Sequence, residues 1–347
     1  MSTTPFWTPG RHRDRRPWLK ARSAMTAAAR TWFDSRGYTE VETAALQVSP
    51  GNETHLHGLP VAVTGSDGTR VQRYLHTSPE FAMKKLLAAG ETAIFALARV
   101  WRDRSRSVLH ATEFTMLEWY RVGQAFAATM DDTVALACAT AEAAQTDALT
   151  FRGRMADAGA APERISVAEA FAAHADIDLN AIGEDRDAFA AAARDRGIRT
   201  ADDDDWSDVF SRVLSEKVEP RLGDGRFTLL YGYPAPEAAL ARLSPENPSI
   251  AERFELYACG VELANGFAEL TDAAAQRARF VAAMDRHEAI HDERFPLDED
   301  FLAALAVMPE ACGVALGFDR LAMLATGAPS VHHVMWTPEP GTLDEAW

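Results

Sequence analysis

The chain has 347 residues, with 35 Lys and Arg against 51 Asp and Glu, for a net charge of −16. At 47% hydrophobic and 25% charged it can build an ordinary core, and no run approaches the ~18 apolar residues of a membrane span. The acid excess argues against nucleic acid as the main partner. The charged N-terminus and three scattered cysteines (Cys138, Cys259, Cys312) point to a reduced, cytoplasmic protein.

Six basic residues and one acid lie between Arg11 and Arg22. They read as a solvated helix start or as a docking edge for an acidic partner. A helix is predicted over Pro17–Arg36, with Leu19, Met25, Ala29 and Phe33 on one face, followed by a strand over Tyr38–Glu42. Pro79–Ala89 reads as a helix, and Ile94–Trp101 and Phe114–Tyr120 as strands joined by a loop rich in Arg and Ser. An Ala-rich helix is predicted over Ala125–Ala148, and a helical insertion over about 150–225. The acids Asp202–Asp205 suit the positive end of a helix. Strands resume at Phe227–Tyr231, Arg253–Tyr257 and Val261–Phe267, with helices over Asp272–His287 and Glu299–Val307 before Gly313–Gly317. With no repeat and no alternating βαβ units, the expectation is one α+β domain over 1–347, an antiparallel sheet flanked by helices.

Three constellations carry chemistry. Arg102, Arg104 and Arg106, with His110, occupy the loop between two strands, and Arg99 lies just before it. Guanidinium groups bind phosphate oxygens in a fork, so this is a polyphosphate grip or, alternatively, an exposed hairpin tip. Next, a two-residue turn at Ala258-Cys259 would set Glu255 opposite Glu262. Facing carboxylates need neutralising, and a Mg2+ shared with nucleotide phosphates would do it, unless both lie on a wet face. Asn265 and Glu269 continue this strand and could read an amine. Last, Gly313 and Gly317 permit close backbone approach, and Arg320 falls in a first helical turn, where a cation is unfavourable unless it serves a ligand.

Together these segments resemble the class II aminoacyl-tRNA synthetases. RVWRD (99–103) with HATEFTMLEWY (110–120) is similar to motif 2 in its lysyl version, GVALGFDR (313–320) to motif 3, and RGYTEVET (36–43) to motif 1. TSPEF (77–81) and ELANGFAEL (262–270) strengthen the lysyl likeness, which runs from about Trp18 to about Gly327. Motif 1 begins almost at the N-terminus, with no room before it for an anticodon-reading OB domain. The chain therefore most resembles the truncated paralogues, the elongation factor P–(R)-β-lysine ligase family.

The resemblance implies an ATP- and Mg2+-dependent enzyme that activates lysine or (R)-β-lysine as an acyl-adenylate. It would pass the acyl group to a lysine of elongation factor P, act as a homodimer and not bind tRNA stably. A ligase with another acceptor and a non-catalytic nucleotide-binding paralogue are the alternatives. Arg102 and Arg320 take the catalytic phosphate-binding positions. Phe114 looks like the aromatic that stacks on adenine, and Asp103, Arg104, His110, Leu263 and Gly317 fall at other nucleotide positions. Glu255 and Glu262 resemble the Mg2+ ligands. Ser78, Glu80, Glu118, Tyr120, Asn265 and Glu269 resemble the lysine pocket, and Ala315 takes a position that is glycine in the synthetases and alanine in the ligases. Arg104 and Ser105 replace the motif 2 glutamate that reads the adenine amine, Ala111-Thr112 its Asn-Pro or His-Pro, and Ala44 the motif 1 proline. HEAIH (287–291) fits the zincin signature, but charged flanks place it on a surface helix, and a protease is not expected.

Overall fold

The protein was analysed as a computed structural model that describes residues 4–345. Its centre is an eight-stranded sheet of β1 (Thr39–Glu40), β2 (Ala93–Trp101), β3 (Glu113–Val122), β4 (Glu163–Ser166), β5 (Thr228–Pro234), β6 (Ile250–Ala258), β7 (Val261–Ala268) and β8 (Ala311–Gly317), in the order β1-β2-β3-β8-β7-β6-β5-β4. The interior pairs are antiparallel, while the outermost pairs, β1–β2 and β5–β4, are parallel, so the sheet is mixed. The class is α+β, as expected.

Side chains alternate across each strand, so the sheet has two chemically distinct faces. One buries Leu117, Trp119, Leu256, Val314 and Leu316 against three helices, α1 (Pro9–Asp34), α2 (Phe126–Ala143) and α3 (Phe318–Thr326). Each such side chain contributes about 1.5–3 kcal/mol when fully buried. The opposite face is lined by polar residues and forms the floor of a large cavity. Helices at Glu80–Ala88, Ala273–His291 and Glu299–Leu305 pack along that side, through Phe81, Phe280 and Phe301.

Several boundaries differ from the sequence reading. The first helix starts at Pro9, and Pro17 lies inside it. The basic segment is half internal. Arg15 is 2% exposed and donates to backbone oxygens of residues 332, 333 and 335. Arg22 pairs with Asp319, and Arg11 binds Leu343 and Asp344. Those three arginines hold the C-terminal segment and the third helix in place, leaving Arg13, Arg16 and Lys20 exposed. The stretch from 150 opens with strands at Ala148–Phe151, Arg154–Asp157 and β4. Helices begin only at Val167, around their own core of Phe171, Phe189, Trp206 and Phe210. Asp205 closes a capping box on the helix Trp206–Val213. A hairpin at Leu59–Thr64 and Arg70–Leu75 was not anticipated, because its second strand carries no clear apolar alternation.

Candidate active site

The sheet register assembles the site. Glu118 pairs with Ala315, Ala315 with Asn265, and Asn265 with Glu255, so four side chains of distant segments stand in one row across four strands. The next row on the same face is Tyr120, Gly313, Phe267 and Arg253. These rows floor a cavity of about 770 Å3, within the usual range for small-molecule sites.

The hairpin of β6 and β7 corrects the expected pairing. Its turn residues are Cys259 and Gly260, at φ 56° and 74°, the left-handed pair that a tight hairpin turn needs. Glu262 therefore opposes Tyr257, and Glu255 opposes Asn265. Glu262 and Asn265 are three residues apart, an odd spacing that would set them on opposite faces of a regular strand. A register shift opposite Leu256 and Tyr257 restores Glu262 to the face of Glu255. Leu263 takes up the extra residue and is buried in the core at the cavity's edge.

Glu255 is 5% exposed, bound by Arg253 at 2.7 Å and by the Tyr257 hydroxyl at 2.5 Å. Burial first, and then Glu262, raises its carboxyl above the ordinary range. Glu219, unnoticed in the sequence, joins this group through Tyr257 at 3.2 Å. Burial and then repulsion from Glu255 and Glu262 push it up to about 7. Three carboxylates gathered at one end of the cavity, Glu219, Glu255 and Glu262, form a donor set that fits a hard divalent cation.

Arg320 is held rather than free. It donates to the Glu262 carbonyl at 2.8 Å, the Glu262 carboxylate at 3.2 Å, the Leu109 carbonyl at 3.3 Å and His110 Nε2 at 2.7 Å. His110 is pushed down to about 4, by desolvation and then by Arg320, so its ring accepts this bond. Arg102 lines the cavity with its guanidinium 5.4 Å from the Phe114 ring centroid, and makes one weak bond, to the Thr77 carbonyl at 3.4 Å.

The other loop residues do not join a four-arginine grip. Arg99 pairs with Glu113 at 3.0 Å, and Arg106 pairs with Glu339 and Glu345. Arg104 is exposed at φ 57° and points away from the cavity, which Ser105 lines instead. Asp103 also lies off the lining, its amide bound to the His57 carbonyl at 2.9 Å. The positive φ at Arg104 turns the loop, and that reverses which side chain faces inward.

The opposite end of the cavity is an acidic pocket. Ser78 donates to Glu118 at 2.7 Å and Tyr120 donates to it at 2.5 Å. Burial, then Glu80, pushes Glu118 up to about 7 against those bonds. Lys84, 1% exposed, bridges Glu80 and Glu269 at 2.5 Å each. This lysine was missed, although its spacing of four from Glu80 on a predicted helix was a usable signal. Three carboxylates against one ammonium leave the pocket short of positive charge. Gly313 faces it without a side chain and Gly317 lies beside Arg320.

The chain matches the class II tRNA synthetases of the D, K and N type over residues 6–340. It is 36% identical over 337 residues to an elongation factor P–(R)-β-lysine ligase of Klebsiella pneumoniae, covering 96% of this chain and 98% of the relative. Ligases of the same name from Salmonella dublin and Salmonella typhi are 35% identical over the same shares of each chain. No helix among the described residues is long and apolar enough to cross a membrane. The chain belongs to the class II tRNA synthetase family of the D, K and N type, within the group of ligases named for elongation factor P and (R)-β-lysine.

Proposed function

We propose that this ligase activates lysine or (R)-β-lysine with ATP and transfers it to a lysine side chain of elongation factor P. The observation that carries the reading is one cavity with guanidinium groups at one end and a cation-deficient carboxylate pocket at the other. A phosphate chain suits Arg102 and Arg320, and an ammonium suits Glu118 and Glu269. The amino-acid carboxylate, held between them near Asn265 and Ala315, attacks the α-phosphorus, and the bond to pyrophosphate breaks. The acceptor amine then attacks the acyl carbon, loses a proton and releases AMP. Catalysis is mainly positioning and charge stabilisation. Glu255 and Glu262, with Glu219 beside them, would hold Mg2+, which when bound offsets phosphate charge.

ATP–pyrophosphate exchange tests the activation step. Lysine-type amines should support it, and norleucine should fall short by roughly 10⁴-fold, because a neutral chain leaves buried carboxylates unpaired. Equal use of norleucine would refute the assignment. Lysylation of purified elongation factor P, read by mass, tests the acceptor.

The acidic pocket also sets a pH dependence. Its raised Glu118, near 7 when empty, must be ionised to receive an ammonium. Below that value, binding has to expel a proton. The lysine KM should therefore fall roughly tenfold per unit between about pH 5.5 and about pH 7. It should level off only above about 8, where Glu269, pushed up by burial, is ionised as well, until lysine itself deprotonates near pH ~10.4. Glu118→Gln should flatten this profile.

We also propose a cytoplasmic homodimer that leaves tRNA free, given the net charge of −16. Gel filtration with tRNA at moderate salt should show a dimer and an unshifted tRNA peak.

A further inference from the structure

HEAIH, set aside as a protease signature, occupies the last turn of the helix Ala273–His291, and its two histidines meet His57 from the loop before the Leu59–Thr64 strand. We propose that His57, His287 and Glu293, completed by His291, form a zinc-type site that pins this loop to the helix.

Ligand atoms of His57, His287 and Glu293 all lie within 4.8 Å of one another, and His287 Nε2 is 3.8 Å from the Glu293 carboxylate. The His291 ring centroid is 4.5 Å from that of His57 and 4.8 Å from that of His287. His287 is fully buried, and its Nδ1 donates to the Thr54 carbonyl at 2.7 Å. A carbonyl only accepts, so this bond places a hydrogen on Nδ1, and in the neutral ring it is the Nε2 lone pair that faces the carboxylate. The buried Nε2, without a hydrogen-bond partner, then faces the partly exposed carboxylate, and a cation between them would satisfy both. A backbone carbonyl behind a ligating imidazole is also the usual second layer of a metal site.

His57 Nδ1 and His291 Nε2 are likewise buried with no hydrogen-bond partner. As neutral imidazoles, both rings offer a lone pair to a metal at those nitrogens. Three imidazoles and one carboxylate match zinc in ligand type and number. The nearby Arg104 opposes a dication, but it is exposed and screened, whereas Glu293 belongs to the cluster.

The site is not a zincin. Its signature glutamate, Glu288, is exposed and bound to Arg294 at 2.9 Å, and the fourth ligand closes the position a substrate water would need. What the metal would hold is a cavity wall. Asn52, Glu53, Thr54 and His55 line the cavity, and the His57 carbonyl accepts from the Asp103 amide at 2.9 Å. A metal there ties the helix, the wall and the motif 2 loop together.

The test uses untagged full-length protein and zinc chloride, with no ATP, so its outcome is independent of the proposed activation chemistry. Elemental analysis should find one zinc per chain. Cobalt added to chelator-stripped protein should give the visible bands of a tetrahedral centre, and zinc should raise the melting temperature. Glu293→Gln and His291→Ala, at the partly exposed rim, keep the fold testable if His287→Ala does not fold. Each should weaken zinc at least tenfold and abolish the tetrahedral cobalt spectrum. Protein that neither retains zinc nor shows that spectrum overturns the proposal, as does undiminished binding in both rim variants.

Discussion

Arg102→Ala should lower the rate of ATP–pyrophosphate exchange by roughly 10²–10³-fold, the usual cost of deleting one group aimed at developing charge. Its effect on stability should be small. The side chain makes a single long bond, to the Thr77 carbonyl at 3.4 Å, and rests on Phe114, so little of the fold depends on it. Arg102→Lys should recover only part of the rate, since an ammonium keeps the charge but loses the planar fork. Arg320 is a poorer choice for the experiment. It carries bonds to Leu109, His110 and Glu262, and its removal would disturb the loop and the hairpin together. Exchange kinetics with circular dichroism on each variant decide the matter. An Arg102→Ala enzyme with full activity would remove the phosphate-binding reading.

The second large effect belongs to Gly313. A methyl group there would stand 2.3 Å from the Tyr120 ring and 2.4 Å from a Glu269 oxygen. Neither neighbour can yield cheaply. Tyr120 is 2% exposed and tied to Glu118, and Glu269 is 1% exposed and tied to Lys84. Gly313→Ala should therefore displace the groups that receive the ammonium, and raise the lysine KM by about 10²-fold. Overpacking should also cost ~1–3 kcal/mol of stability. A variant that melts earlier but keeps the wild-type KM would show that these groups do not contact the substrate.

Part of this molecule could be read from local chemistry. The strands at 93–101, 113–122 and 261–268 and the helix at 80–88 follow from short-range apolar periodicity and turn residues, and they came out within a few residues of expectation. The arginine loop, the hairpin carboxylates and the glycines before Arg320 were visible because charged or flexible residues in those places conflict with local preference. Where local signals were weak, the reading failed. Pro17 suggested a helix start, although the chain had already entered the helix at Pro9, and the hairpin at 59–75 lacked an apolar stripe.

By itself the sequence determined the fold class, the class II synthetase membership and most of the residues that gather in the cavity, since these depend on residue type and short spacing. Tertiary structure alone decided which of them face one another. A hairpin turn moved by one residue and a register shift placed Glu262 beside Glu255, and a positive φ at Arg104 turned that side chain out of the cavity. Burial decided that Lys84 lies between Glu80 and Glu269, and that Arg15 and Arg22 serve the interior instead of a partner. His57 lies 230 positions before His287 in the chain, and only the packing of a loop on a helix end brings their rings to 5.3 Å. Such distances come from long-range contacts, whose geometry no local pattern of residues encodes.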